Sequence, residues 1–287
     1  MKKQSALFIA GSFMLAFAGC DSSKQTSDTT TTANATETTA TAPATAVTPG
    51  QDKGPVMENN GLKVYWFDDS PRMANAAMRV TEPAANSTVP AGPVAFNYEL
   101  TNYELTKMTG HDHAKEMANS MQGQHIHNIV DNEPYTAHYE TRFSKDLKEG
   151  NHVVLSFLSR SYHESLKHPS ASDLRVIRVG NPKATSDFDL KGQHMFYSRP
   201  KGEYVGDDTK KIMLDFYLVN TDLSPEGNKV RATINGTEFM LDRWLPYTIE
   251  GLPMGENKIK LELLDNAGNV IPGPYNTVER TITLKAA

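Results

Sequence analysis

The stretch Gly123-Gln124-His125-Ile126-His127-Asn128-Ile129-Val130-Asp131-Asn132 recurs, with its core pattern kept, as Gly227-Asn228-Lys229-Val230-Arg231-Ala232-Thr233-Ile234-Asn235-Gly236. Each copy enters from a glycine turn, alternates side chains at period two and ends on a turn dipeptide, which is the pattern of a half-buried strand opening into a hairpin. A second correspondence sets Gly150-Asn151-His152 opposite Gly255-Glu256-Asn257. The body of the chain therefore reads as an internal duplication of one β-module, with the joint near Gly180 to Gly192.

Outward from these anchors, short apolar-alternating runs separated by Gly, Pro, Asn and Asp fill both halves, and long helical periodicity is absent. In the first half, strands are predicted at Met78 to Pro83, Val94 to Leu100, His125 to Asp131, Tyr135 to Tyr139, near Arg142-Phe143, at Val153 to Leu158 and at Leu174 to Val179. The second half repeats the plan at Lys211 to Asn220, Lys229 to Asn235, Phe239 to Trp244, Lys258 to Leu264 and Thr281 to Leu284. The arrangement resembles bacterial immunoglobulin-like modules. That resemblance implies an all-β fold of two tandem immunoglobulin-like β-sandwiches, residues 61–180 and 181–287. Being architectural, it implies binding or spacing rather than any chemistry. Gly61 to Phe67 is expected as an additional edge strand of the first module.

The N-terminus reads differently. Met1-Lys2-Lys3 precedes a short apolar run from Ala6 to Ala18, too short for a membrane span and suited to a secretory signal, residues 1–19. Phe17-Ala18-Gly19-Cys20 resembles the lipobox of bacterial lipoproteins. The resemblance implies cleavage before Cys20, lipidation of that cysteine and a membrane anchor in the bacterial cell envelope, on the periplasmic face or the cell surface. Cys20 is the only cysteine, so its lipidation excludes disulfides, thiolate metal ligands and a cysteine nucleophile. Residues 20–60, rich in Thr and Ala, are expected to be a disordered tether, because such a composition cannot offset its own ordering entropy. The formal net charge of −5, with no basic face, argues against a nucleic-acid partner.

Candidate ligands concentrate between Met108 and His127, which hold four of the nine histidines and three of the twelve methionines. The duplication supplies a control, since Lys229 and Arg231 stand where the first module has His125 and His127. With Ile126 and Val130 turned to the core, His125 and His127 point outward on one face, a spacing that lets two imidazoles converge on one ion. In a sandwich of this kind the loop after the second strand and the loop holding Arg160 to His168 lie at the same end. The expected ligand set is thus His125, His127, His138 and His163, with His111 and His113 as auxiliary ligands. Imidazole with nearby thioether suits copper or zinc; otherwise no cofactor is expected. Ala114 to Met121 is expected to form a short loop helix capped by Asp112. His152 is expected to be a half-buried packing residue at the opposite end, and His194 to lie in the linker without a partner.

Catalysis is not indicated. His163-Glu164-Ser165-Leu166-Lys167 has a lysine where a zincin needs its second histidine, and there is no Gly-x-Ser-x-Gly elbow. A further resemblance, of Ser159-Arg160-Ser161-Tyr162-His163 and Asn235-Gly236-Thr237 to fragments of the forkhead-associated signature, implies phosphopeptide binding through Arg160, Lys167 and Tyr162. The sequence thus predicts a non-enzymatic, lipid-anchored envelope protein that binds copper or zinc. Its alternative is a peptide- or phosphopeptide-binding interaction module, whose partner would be another envelope protein or a peptide.

Overall fold

The computed structural model describes residues 52–183 and 185–287. The expected signal peptide, the lipidated Cys20 and the tether up to residue 51 lie outside the described residues. Residues 52–60, expected as part of the tether, belong to the folded body: Lys53 bridges to Phe67 and the Gly54 N–H donates to the Trp66 carbonyl at 2.8 Å. Gly54 lies flat on the Trp66 indole, where a Cβ would come within 2.2 Å of Nε1, so only glycine fits there.

In chain order the strands are β1 (Met57–Asn59), β2 (Leu62–Trp66), β3 (Ala77–Glu82), β4 (Thr88–Val89), β5 (Gly92–Thr101), β6 (His125–Val130), β7 (Thr136–His138), β8 (Arg142–Leu147), β9 (Gly150–Ser159) and β10 (Ser172–Val179). The second half adds β11 (His194–Arg199), β12 (Glu203–Val205), β13 (Ile212–Val219), β14 (Lys229–Ile234), β15 (Thr237–Leu241), β16 (Tyr247–Glu250), β17 (Gly255–Leu264) and β18 (Thr277–Lys285). The duplication holds strand for strand. The sheet β4-β10-β9-β6-β7 has its counterpart in β12-β18-β17-β14-β15, and β3-β5-β8 in β11-β13-β16. Even the parallel edge pairings, β4 on β10 and β12 on β18, correspond. So do the register shifts at Val80/Glu82 and Tyr197/Arg199.

Two expectations change. β2 is an edge addition, but to the second module: Tyr65 pairs with Thr248 and Val64 with Ile249. Its alternating Leu62, Val64 and Trp66 enter the second module's core beside Phe216 and Leu261. His194 is likewise not a linker residue. It opens β11, opposite Val219, with its ring stacked 4.3 Å from Phe188 and Nε2 donating to the Asp189 carbonyl at 2.6 Å.

Each module has its own core, and a third apolar layer lies between the modules. Within β9, Val154 and Leu158 face the first module's interior, whereas Leu155 and Phe157 face the other way. There they meet Phe196 of β11 and Tyr217 of β13, with the Phe157 and Tyr217 rings stacked at 4.9 Å. Each fully buried side chain of this size contributes about 1.5–3 kcal/mol, so this layer fixes the two sandwiches face to face. All described residues belong to one compact unit. The outward face of β6, which carries His125 and His127, is therefore covered by the second module rather than by water.

Candidate metal centre

His125 and His127 project from the expected face of β6, and both are fully buried. His125 Nδ1 lies 2.8 Å from the Gly123 carbonyl, which can only accept, so the ring proton sits on Nδ1 and Nε2 presents a lone pair. Gly123 is needed for this arrangement. Its φ of +83° and a Cβ position 2.4 Å from the Thr106 carbonyl oxygen admit no side chain. His127 Nε2 lies 2.9 Å from His125 Nε2, and its ring is stacked on Tyr135 at 3.5 Å. Tyr135 immediately precedes β7, and the stack holds the His127 ring, whose Nδ1 has no hydrogen-bond partner.

The third nitrogen comes from the loop after β9. His163 Nδ1 lies 3.0 Å from His125 Nε2 and 3.3 Å from the Tyr135 hydroxyl. The loop is a tight reversal in which the His163 N–H donates to the Arg160 carbonyl and the Arg160 N–H to the Glu164 carbonyl, both at 2.9 Å. Its closing residue must be left-handed, and His163 has φ +70°. In the second module Asp265 to Asn269 makes the same two bonds, and the equivalent residue is Gly268, φ +84°. A histidine at a glycine position costs on the order of 1 kcal/mol, and here it aims the ring at His125.

The reversal is bolted on both sides. Arg160 and Glu164 form a buried ion pair at 2.9 Å, and Glu164 and the Tyr162 hydroxyl both bind Ser70 Oγ. Lys167 pairs with the fully buried Asp215 of β13, whose other oxygen accepts the Ser165 N–H at 3.2 Å. Arg160, Lys167 and Tyr162, expected as peptide contacts, are thus turned inward and engaged within the chain. They hold the loop, and Arg160 and Lys167 also border a surface hollow of about 330 Å³.

Burial holds all three imidazoles neutral. The pKa of His125 falls from 6.5 to about 4, chiefly through desolvation, against the opposing pull of the Gly123 carbonyl. His127 and His163 are pushed well below 6.5 for the same leading reason. Arg199 and Lys201 add to the effect at each site. Lys201 donates to the Tyr135 carbonyl at 2.7 Å and sits over its ring at 3.9 Å. Neutral imidazole is the form that binds metal. The candidate ligand nitrogens all lie within 4.8 Å of one another. Bonds of about 2.0–2.1 Å at tetrahedral angles place ligands roughly 3.3 Å apart, so the observed spacings need only small adjustments.

The remaining expected ligands part company with this cluster. His138 lies across from Ile126, not His127; its ring stacks on Phe143 at 3.3 Å and Nε2 meets Thr136 Oγ1 at 2.7 Å. The residue of β7 opposite His127 is Ala137, so strand alternation takes His138 to the other face. His111 and His113 form a separate group with Asp69, in which His113 Nε2 lies 2.7 Å from Asp69 Oδ1. The expected loop helix shrinks to one turn, His113–Glu116, and the Asp112 side chain pairs with Lys115 rather than capping it. Met117 packs in a small core with Phe67, Tyr162 and Met213, while Met108 and Met121 are exposed. His152 matches its expected place, bonded by Nδ1 to Asp131 at 2.6 Å and by Nε2 to the Lys148 carbonyl at 2.8 Å. Tyr135, Arg199, Lys201 and Asp69 were not legible as site residues, since each reaches its cluster only through tertiary packing.

No family model matches the chain, and no curated protein matches it. Among solved structures it is similar to the fibronectin(III)-like modules of Clostridium thermocellum CbhA, at 9% identity and TM-score 0.26, covering 73% of this chain and 94% of that one. The Bacteroides ovatus mixed-linkage glucan utilization locus protein SGBP-B, in complex with a heptasaccharide, aligns at 8% identity and TM-score 0.23 over 73% of this chain and 70% of its own. The first three fibronectin domains of chicken CNTN1 align at 11% identity and TM-score 0.21, covering 70% and 64%. By its own sheet order, the chain is a pair of immunoglobulin-like β-sandwiches.

Proposed function

We propose that this is a non-catalytic, lipid-anchored binding protein of the bacterial cell envelope that holds one copper ion between its two modules through His125, His127 and His163. The observation that carries this reading is His163: a strained histidine, at a position its duplicate gives to Gly268, directs Nδ1 to within 3.0 Å of His125 Nε2. Three neutral nitrogens meeting in a buried site are otherwise poorly accounted for, because one lone pair on His125 faces both of the others. The donor set bears on the metal. There is no carboxylate among the three ligands, and Arg199 and Lys201 raise the local potential. That environment disfavours a dication and favours the singly charged copper(I), which accepts imidazole donors. The envelope anchor rests on the Phe17-Ala18-Gly19-Cys20 run.

The test is copper(I) and zinc(II) titration of protein purified without a histidine tag, beside His125→Ala/His127→Ala and His163→Gly. The reading expects one equivalent of copper(I), bound more tightly than zinc at this cluster and weakened at least ~100-fold in both variants. Tighter zinc binding at these residues would keep the site and overturn the choice of ion. Absence of stoichiometric binding of either metal that depends on His125, His127 and His163 would overturn the site.

A further inference from the structure

We infer that a second metal site, independent of the buried cluster, lies on the other side of the same loop, formed by Asp69, His111 and His113 and suited to a divalent ion, zinc(II) or copper(II). The ligand atoms of these three side chains lie within 4.8 Å of one another. Asp69 follows β2 and the buried Phe67, whereas the histidines flank the start of the one-turn helix, so residues 42 or more apart in sequence are gathered at one point. His113 is almost wholly buried, with its ring 4.2 Å from Phe67 and 5.7 Å from Tyr162, which precedes His163. Its Nε2 meets Asp69 Oδ1 at 2.7 Å, while its Nδ1 is buried without a partner. The His111 ring is held 4.5 Å from that of His113 by a bond from the His113 backbone N–H to His111 Nδ1 at 3.3 Å.

The donor set differs from the buried cluster in the respect that selects charge. One carboxylate and two imidazoles form a ligand set common to catalytic and transport zinc sites and acceptable to copper(II). The carboxylate offsets one unit of a dication's charge, which the all-imidazole cluster cannot do. Access differs too. His111 borders a surface hollow of about 620 Å³ lined also by Met108, Asn119 and Met121, so this site is open to solvent where the other is enclosed. The exposed thioethers of Met108 and Met121 stand at its rim.

Equilibrium dialysis of the tag-free full chain against zinc chloride, in wild type, Asp69→Asn, His111→Gln and His163→Gly, tests the assignment. His111 is only partly buried and Asn keeps an acceptor toward His113, so both local variants should fold, as circular dichroism would check. One equivalent of zinc is expected in wild type and in His163→Gly, with affinity down at least ~100-fold in Asp69→Asn and His111→Gln. Copper(I) binding by the buried cluster should persist in those two variants. The inference is overturned if zinc binding is unchanged in Asp69→Asn and His111→Gln, if it is lost only in His163→Gly, or if wild type binds copper(I) but no zinc. Zinc lost only in His163→Gly would place the ion at the buried cluster and bear on its choice of metal; the other two results leave that cluster untouched, and its own failure would show as absence of copper(I) binding in wild type.

Discussion

The loops Arg160 to Glu164 and Asp265 to Asn269 close with the same two backbone hydrogen bonds, at equivalent places in the two modules, yet carry His163 and Gly268 at the left-handed position. A few ångströms away, His125 and His127 of β6 stand where β14 has Lys229 and Arg231. Arg231 pairs with Glu262 at 2.8 Å on a solvated face, whereas His127 packs edge-on to Phe157 with ring centroids 5.1 Å apart. Glu262 and Phe157 are themselves the equivalent partners, one opposite Arg231 and one opposite His127. The fold thus supports either a solvated ion pair or a buried histidine cluster at one address. What decides is whether a second sheet lies over that face. The duplicate shows that the cluster is not a requirement of the sandwich.

The largest break in this comparison should come from the paired positions opposite β6 and β14. Phe157→Ala removes a fully buried ring from the layer between the modules and is expected to cost about 3–5 kcal/mol in urea unfolding. Glu262→Ala removes a carboxylate covered by its partly exposed partners Arg231 and Lys260, and should cost about 1 kcal/mol. Equal costs would mean that the layer between the modules does not bear stability.

Acid should separate the two faces next. His125, His127 and His163 have folded pKa values below 6.5, so the unfolded chain takes up more protons as pH falls. Their contribution is present above pH 6.5 and is lost as pH drops toward about 4, the folded value of His125. Each histidine that stays neutral costs roughly 1.4 kcal/mol per pH unit in that window. His152 has the opposite sign: its bond to Asp131 raises its pKa, so its smaller contribution holds below 6.5 and is lost as pH rises through the folded value. Denaturant midpoints of metal-free protein between about pH 7 and 5 should therefore fall, and His127→Gln should flatten the fall. A flat wild-type profile would contradict the burial of neutral imidazoles.

The smallest effects are the most specific. His163→Gly, which gives the first module the residue of the second, should stabilise metal-free protein by about 0.5–1 kcal/mol, and Gly268→Ala should destabilise it by about 1 kcal/mol. A loss of stability in His163→Gly would mean that the histidine serves packing rather than a ligand.

Much of the architecture was legible because the repeat of Gly123 to Asn132 fixed both register and module count. A strand that escaped detection, β11, and one set in the wrong module, β2, had physical reasons. β11 is buried along its whole length, so it shows no alternation and resembled a linker running out of Gly192. β2 alternates cleanly, but its partner β16 lies more than 180 residues away in the other module. The outward direction of His125 and His127 was readable from period two, and their burial was not. The signal for it lay elsewhere: β13, Ile-Met-Leu-Asp-Phe-Tyr-Leu-Val, is apolar on both faces, as only a strand covered on both sides can be. His138 was misassigned because its strand position was known while its pairing register was not.

The proposed copper site stands or falls with the strained histidine as its third ligand. It is tested most directly by anaerobic copper(I) competition titration of tag-free wild type against His163→Gly. One tightly held equivalent is expected in wild type, with its loss in a variant that is folded and no less stable. Equal copper affinity in the two proteins, or no stoichiometric copper in wild type, would contradict it.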